Sequence, residues 1–464
     1  MEHVDERVRR ASRVTAVGQT VPTTLAHAGL FFLAIHLPLA VAMRAEPAVA
    51  AAHAGVAVAF GLAAVLVGRV DWLVYGAAYL AGADVLWRMV EAPLPWEAGK
   101  YAVIMLFVVG LVRVRPLRIE PYAVLYLLIL LPAILVMPYR LAWDTGLEEV
   151  RFNLSGPVAL AVSVLFLSNV RLGGAEWVRT VLCLLGPLLS VLTLAALSTL
   201  GADDLAFTLE SNVVTSGGFG PNQVSAVLGL GGLVAFLVLV APFATLAVRV
   251  VMLAALAALV VQCALTLSRG GLLAAIGAAT VAAAFLLRDR RSLALLFTSS
   301  VVIGTAAAFW VLPRLNAFTE GAVSGRFSSL ETTGRYELLQ QEIATFRDHP
   351  LTGVGPGGGK ALRASGQPAH TEFSRLLAEH GVFGIGAALL LVALGFRLVR
   401  RGTTPYERAV AAGLVCWSFL TMMHSAMRVV APALVFGLAA VRLQAACVAY
   451  RPAQDPGRTP VGTP

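Results

Sequence analysis

The chain has 464 residues, of which 58% are hydrophobic and 13% are charged, and its formal net charge is +9. A soluble domain carries about 25% charged residues, so this composition excludes an ordinary soluble protein. The apolar residues instead form blocks of about 17–25, the length that crosses a membrane as a helix. The positive charges lie beside these blocks, which indicates membrane topology rather than nucleic-acid binding.

The apolar blocks predict an all-α fold, a polytopic transmembrane helical bundle of about fourteen spans, with twelve as the alternative count. The predicted spans lie near residues 22–43, 48–68, 71–90, 98–114, 122–138, 154–170, 177–199, 221–243, 247–267, 271–287, 293–312, 379–396, 407–424 and 429–447.

The arginines fall on one side of this predicted bundle. They form the N-terminal arm, the C-terminal tail and the groups Arg113/Arg115/Arg118, Arg171/Arg179, Arg249, Arg288/Arg290/Arg291 and Arg397/Arg400/Arg401/Arg408. The opposite short loops are acidic, for example at Glu91 and Glu97. Because short basic loops stay in the cytoplasm, the pattern predicts a multi-pass protein of the bacterial inner membrane with both termini cytoplasmic and its active face periplasmic.

This topology divides the chain into four predicted parts. Residues 1–20 form a cytoplasmic arm, residues 21–214 an N-terminal transmembrane bundle, residues 215–447 a second transmembrane region, and residues 448–464 a cytoplasmic tail expected to be disordered. The second region contains a long periplasmic loop, residues 313–377, and a loop of that length usually carries function or is disordered.

Two helix signals within the loop favour order. The first helix is predicted over Arg335–Asp348, where Tyr336, Leu339, Ile343 and Phe346 recur at helical spacing before Pro350. The second is predicted over Thr371–His380, ending at Gly381.

Four polar residues converge on the predicted outer face. Asn222 and Arg269 lie at the outer ends of spans, while Arg335 and His370 open the two loop helices. An arginine presents a planar fork that suits phosphate oxygens, and a histidine titrates near the operating pH of a general base. The alternatives are a snorkelling or solvated arginine and a structural histidine.

Two further ionisable residues, Asp84 and His424, lie in or near spans and are second-tier candidates, since such residues are often functional. The four cysteines lie in apolar blocks and form neither a zinc pattern nor a disulfide framework. The first outer loop offers only Arg44 and Glu46, not paired carboxylates. The sequence therefore predicts no metal and no cofactor.

Four stretches resemble the superfamily of O-antigen ligases and O-antigen polymerases. They are Phe219-Gly-Pro-Asn222, Leu267-Ser-Arg-Gly-Gly271, the loop from Gly334-Arg335 to Gly355, and Ala369-His370-Thr-Glu-Phe through Gly384. The resemblance covers roughly residues 215–400. One departure is that Thr371 stands where the family often has asparagine after the histidine.

The resemblance implies transfer of a glycan from an undecaprenyl-diphosphate carrier, without a metal and with inversion, to lipid A-core or to a growing polysaccharide. His370 would deprotonate the acceptor hydroxyl, and Arg269 and Arg335 would hold the diphosphate as it leaves. Asn222, Glu372, Tyr336 and Arg347 are secondary site candidates. This chain has about two more predicted spans before the long loop than the ligases usually have. The difference favours a polymerase or exopolysaccharide-type member.

Two other classes stay open at this point. A polytopic transporter of a small anion such as bicarbonate fits the many spans and the intramembrane Asp84, although the sequence shows no duplicated halves. A purely structural scaffold is the third reading, and it leaves the outer polar residues unexplained.

Overall fold

The computed structural model describes residues 22–136, 143–203, 205–287, 290–328, 335–363, 366–367 and 369–444. The predicted cytoplasmic arm and the predicted tail both lie outside these residues, as does Gly334 of the loop motif. Across the described residues the chain is almost entirely helical, which confirms the predicted all-α polytopic fold.

The helices follow the chain in eighteen segments. They are α1 Thr23–Ala45, α2 Pro47–Val67, α3 Val70–Met89, α4 Ala98–Leu111, α5 Pro121–Ile134, α6 Trp143–Leu167, α7 Gly174–Leu200, α8 Pro221–Leu239, α9 Leu246–Leu265, α10 Arg269–Leu286, α11 Arg290–Ala306, α12 Leu312–Phe318, α13 Ala322–Ser328, α14 Arg335–Asp348, α15 Gly358–Leu362, α16 Glu372–Arg401, α17 Pro405–Ser425 and α18 Ala431–Leu438. A 3₁₀ turn covers Val214–Ser216 and a π-helical turn covers Ala307–Val311. The strands β1 Arg171–Leu172 and β2 Arg442–Leu443 pair in parallel.

Each of the fourteen predicted spans overlaps one of these helices. Among the described residues, eight helices are long and apolar enough to cross a membrane, namely α1, α2, α6, α7, α8, α9, α10 and α16, whereas α4 and α5 are shorter apolar helices. The protein is therefore an integral membrane protein, and the count of fourteen spans stays a prediction.

The last predicted span, residues 429–447, differs from the observed structure. Helix α18 has only eight residues, all of them buried, and it gives way to β2 at Arg442. Eight residues rise about 12 Å as a helix, which is too short for a hydrocarbon core of about 30 Å. This segment packs inside the bundle against α6 and α17, so helix α18 covers only part of the predicted span.

The two ends of the bundle are held by different sets of contacts. At one end, Arg88 of α3 donates to Gln223 of α8 at 3.4 Å, and the Val430 amide donates to Asp84 at 2.9 Å. At the other end, Glu120 binds Arg397 at 3.0 Å and also binds Arg401. The end that holds Asp84, Arg88 and Gln223 also holds Asn222, the residue before Gln223, and is called the outer end below.

Helix α3 lies in the interior of the first bundle. From Leu73 to Met89 nearly all of its side chains are buried, against α2 and α7 in particular. A charged group in that position requires a partner because burial away from water is costly. Its two buried charges, Asp84 and Arg88, meet that requirement by pairing at 3.2 Å.

Both predicted loop helices are present. Helix α14 covers Arg335–Asp348, and α16 begins at Glu372 with Thr371 as its cap, accepting from the Ser374 amide at 3.0 Å. Gly381 interrupts α16 with φ 60°. This is the residue at which the sequence predicts the end of the second loop helix. A Cβ at Gly381 would lie 2.5 Å from the Pro350 carbonyl oxygen, so the turn after α14 packs directly on this kink.

The apolar spacing along α14 does not by itself determine which side chains are buried. Tyr336 is 58% exposed and Leu339 is 38% exposed, whereas Leu338 and Glu342 are buried. The reason is an ion pair that the apolar spacing does not reveal. Glu342 binds Arg363 at 2.6 Å, and this pair turns the Glu342 face of α14 inward.

Candidate active site

Helix α10 begins at Arg269, directly after a tight turn packed against α8. The Ser225 hydroxyl of α8 accepts from the Gly271 amide at 3.0 Å and donates to the Ser268 carbonyl at 2.8 Å. A Cβ at Gly271 would lie 2.0 Å from the Ser225 carbonyl oxygen. Leu267, just before the turn, is buried with φ 53°, a conformation that non-glycine residues rarely adopt. The close approach of the two helices therefore fixes Arg269 at the outer end.

Asn222 and His424 lie against this same turn. Ser268 donates from its hydroxyl to the Asn222 Oδ1 at 2.8 Å. A Cβ at Gly270 would lie 2.6 Å from the Nδ1 of His424, at the end of α17. Each glycine of the Leu267–Gly271 stretch thus has its own neighbour, one on α8 and one on α17.

Arg269 and Arg335 come from different parts of the chain and lie near each other. Arg269 donates to the Arg326 carbonyl at 3.5 Å, and Arg326 itself donates from Nε to the Leu267 carbonyl at 3.1 Å. Burial lowers the pKa of the half-buried Arg335, and the charge of Arg269 lowers it further. Like charges at close range repel, so this pair suits an anion that binds between the guanidinium groups.

His370 lies beside the same cations, in the segment that leads into α16. Burial lowers the pKa of His370, and the charges of Arg428, Arg335 and Arg363 lower it further. The imidazole is therefore mostly neutral at neutral pH, which leaves a ring nitrogen able to accept a proton. The structure brings together Asn222, Arg269, Arg335 and His370, the four residues singled out in the sequence.

Arg428 is a member of the cluster that the sequence reasoning missed. It lies in the short connection between α17 and α18, and its Nη2 donates to the Ala369 carbonyl at 2.8 Å, next to His370. Burial lowers the pKa of Arg428, and the charge of Arg375 lowers it further. A signal was present in the sequence, because Arg428, like Arg269, is an arginine in a predicted outer loop, whereas most arginines lie in the loops on the opposite side.

Glu372 is buried beside the cluster, but its carboxylate already has partners. It binds Arg375, with the Nε donating at 3.2 Å, and it accepts from the Met427 amide at 3.3 Å. This bonding ties the start of α16 to the α17–α18 connection. Glu372 thus lies close to His370 in the chain, while its oxygens hold the surrounding backbone.

The structure does not bring the other two secondary candidates into the cluster. Tyr336 follows Arg335 on α14 but turns away and is largely exposed. Arg347 is exposed at the far end of α14, twelve residues from Arg335, a rise of about 18 Å along the helix.

The chemistry available at this site is that of cations and a base. In the part of the chain that the structure describes, no three His, Cys, Asp or Glu side chains gather as metal ligands would. The residues that do gather are three arginines, Arg269, Arg335 and Arg428, with His370 among them. Such a set can bind a polyanion and remove a proton from a neighbouring hydroxyl.

Comparison with known proteins agrees with the motifs. Residues 254–389 match the protein family described as O-antigen ligase, and they include Arg269, Arg335 and His370. No curated protein sequence matches the chain. The family match confirms the resemblance and supports a membrane glycosyltransferase of the O-antigen ligase and polymerase type. Residues 254–389 are therefore similar to the O-antigen ligase family, in agreement with the superfamily that the motifs resemble.

Proposed function

We propose that the protein transfers a glycan from an undecaprenyl-diphosphate carrier to a hydroxyl group of an acceptor, at the periplasmic face and without a metal ion. The acceptor is lipid A-core or a growing polysaccharide. The observation that carries this proposal is the gathering of Arg269, Arg335 and a neutral His370 at the outer ends of the helices.

The three residues have distinct roles in the proposed reaction. His370 takes the proton of the acceptor hydroxyl as its oxygen attacks the anomeric carbon of the donor sugar. The bond from that carbon to the phosphate oxygen breaks, and the electron pair leaves with the undecaprenyl diphosphate. Arg269 and Arg335 stabilise the negative charge on the leaving diphosphate. A single displacement of this kind inverts the anomeric configuration.

The arrangement of the site favours this assignment over a bare anion-binding site. A histidine among three arginines has its pKa lowered, so its ring is neutral and able to accept a proton, whereas binding an anion would favour a protonated ring. Asn222 and Ser268, joined at 2.8 Å, add polar groups beside Arg269 at the start of two helices. These groups are suited to position the hydroxyls of a sugar.

The test is glycan transfer by the purified protein in proteoliposomes supplied with lipid-linked donor and acceptor. We expect His370→Ala to lower kcat by about 10²–10⁴-fold, as loss of a general base does, and Arg335→Ala to lower it by about 10²–10³-fold. Arg347→Ala is the matched control, since it removes an exposed arginine from the same helix. It should transfer glycan at the native rate.

Undiminished transfer by both His370→Ala and Arg335→Ala would overturn the proposal. The anomeric configuration of the product, determined by NMR, tests the single displacement. The glycan profile of a deletion strain then separates the acceptors. Carrier-linked polymer with no long chains on lipid A-core marks a ligase, whereas single repeat units on lipid A-core mark a polymerase.

A further inference from the structure

A cavity opens at the outer end of the bundle, where Arg88 of α3 meets Gln223 of α8. It has a volume of about 270 Å³ and lies between the end of α3 and the loop that leads to α4. Its lining includes Asp84 and Arg88 of α3 and Glu91 and Trp96 of the loop. Pockets for drug-sized ligands have volumes of about 300–1,000 Å³, so this cavity suits a single ring.

Arg88 forms the polar floor of this cavity. Its Nη2 binds Asp84 at 3.2 Å, and its guanidinium lies 4.6 Å from the centre of the Trp96 ring. The side chain is 5% exposed, and among the described residues its buried Nε has no hydrogen-bond partner. A buried donor without a partner is costly, and a ligand hydroxyl in the cavity would satisfy it.

Trp96 supplies an accessible aromatic surface. It is 50% exposed while its ring packs against Phe219 at 6.2 Å and against Arg88. The face of an aromatic ring carries partial negative charge, and the C–H groups on one side of a sugar ring carry partial positive charge. A sugar ring therefore stacks on such a surface while its hydroxyls reach neighbouring polar groups.

The charges of the lining restrict the kind of sugar. Asp84 and Arg88 compensate each other, and Glu91 is exposed in the loop with φ 52°. These three side chains together carry a net charge of one negative unit, which repels a carboxylated sugar. A neutral or amino-substituted ring fits better.

The cavity is connected to the candidate active site through two neighbouring residues. Arg88 donates from Nη1 to the Gln223 side chain at 3.4 Å, and the preceding residue, Asn222, accepts from Ser268 beside Arg269. A glycan bound in the cavity thus lies next to the elements that hold the cationic cluster.

We infer that this cavity is a saccharide subsite, in which Trp96 and Arg88 bind one neutral or amino-substituted sugar ring of the acceptor glycan. The assignment of the ring to the acceptor rests on the proposed glycan transfer, whereas the binding of a sugar ring does not.

The competing explanation for Trp96 is an aromatic anchor at the membrane surface. The chain offers a matched control for that role in Trp310. It is 63% exposed and lies 4.3 Å under the guanidinium of Arg314, a pair like that of Trp96 and Arg88. Trp310 is not part of this cavity.

The test measures saccharide binding without donor, by saturation-transfer-difference NMR on the full chain in lipid nanodiscs. The probes are methyl β-glucopyranoside, glucosamine and glucuronate. We expect signals from the first two and little from glucuronate. Trp96→Ala should weaken binding about tenfold, the loss of a stacking contact of roughly 1.4 kcal/mol, Trp96→Phe should retain part of it, and Trp310→Ala should bind as the native chain does.

Equal signals from native and Trp96→Ala chains would overturn the inference, and so would equal losses in Trp96→Ala and Trp310→Ala. In the transfer assay we expect Trp96→Ala to raise the KM for the acceptor with kcat retained. A native chain that binds the sugars but transfers no glycan would overturn the proposed function and leave the subsite standing.

Discussion

Two charged regions lie next to each other at the outer end, and they are built in opposite ways. In the candidate active site, the charges acting on Arg335 and His370 within the described residues come from other arginines. One turn along α16, Arg375 instead lies among Glu372, Glu379 and Asn153, with hydrogen bonds of 3.2 Å to the last two. The first region accumulates like charge, and the second neutralises it.

The difference indicates what each region is for. A buried ion network with matched charges holds segments together, here α6, α16 and the α17–α18 connection through Asn153, Arg375 and Met427. Like charges do not hold segments together, so the candidate site relies on close backbone packing at Gly270 and Gly271. Such a cluster becomes favourable when an anion binds to it.

The largest expected effect comes from breaking the matched network. Arg375→Ala leaves Glu372 and Glu379 buried without their cation, and such a loss costs about 3–5 kcal/mol. The free energy of unfolding, measured by denaturant titration in mixed micelles, should fall by that amount. Lys360→Ala removes an ion pair to Glu149 at 3.1 Å in which Lys360 is 50% exposed, and it should cost about 0–1 kcal/mol. Equal losses from the two variants would contradict the distinction between buried and exposed pairs.

A smaller effect is expected from the packing that holds the cationic site. Gly271→Ala places a Cβ 2.0 Å from the Ser225 carbonyl oxygen, and overpacking of this kind costs about 1–3 kcal/mol. The same variant should transfer glycan more slowly because Arg269 is displaced. Gly304→Ala is the control, since nothing lies within 4 Å of its Cβ position and alanine favours a helix by about 1 kcal/mol. A stable, fully active Gly271→Ala protein would show that the close approach is not required.

The smallest effect is a shift in pH dependence. Because a base acts when deprotonated and the pKa of His370 is lowered, kcat/KM should fall only at pH values below the ordinary histidine pKa of about 6.5. Arg428→Gln removes the largest charge effect on His370, so its pKa rises and the acid limb moves to higher pH. Arg428→Lys retains the charge and should leave the limb in place. Identical profiles for the three proteins would exclude His370 as the group that titrates.

Much of the fold could be predicted from the sequence because hydropathy is a local property. The apolar blocks located fourteen helices, and Pro350 and Gly381 marked the ends of the loop helices correctly. What the sequence left open depends on distant partners. On α14, the side of the helix that carries Glu342 is buried because Glu342 pairs with Arg363, which lies 21 residues away in the chain. The short α18 depends on its surroundings in the bundle interior.

The sequence by itself determined that this is a helical membrane protein, that its basic loops alternate with acidic ones, and which motifs carry Asn222, Arg269, Arg335 and His370. Only the tertiary structure decided that these four lie together and that Arg428 belongs with them, through a hydrogen bond spanning 59 residues. It also decided that Arg88 meets Gln223, 135 residues away, beside an exposed tryptophan. The physical reason is that span length and charge asymmetry act along the chain, whereas an anion site is made by side chains that only helix packing brings together.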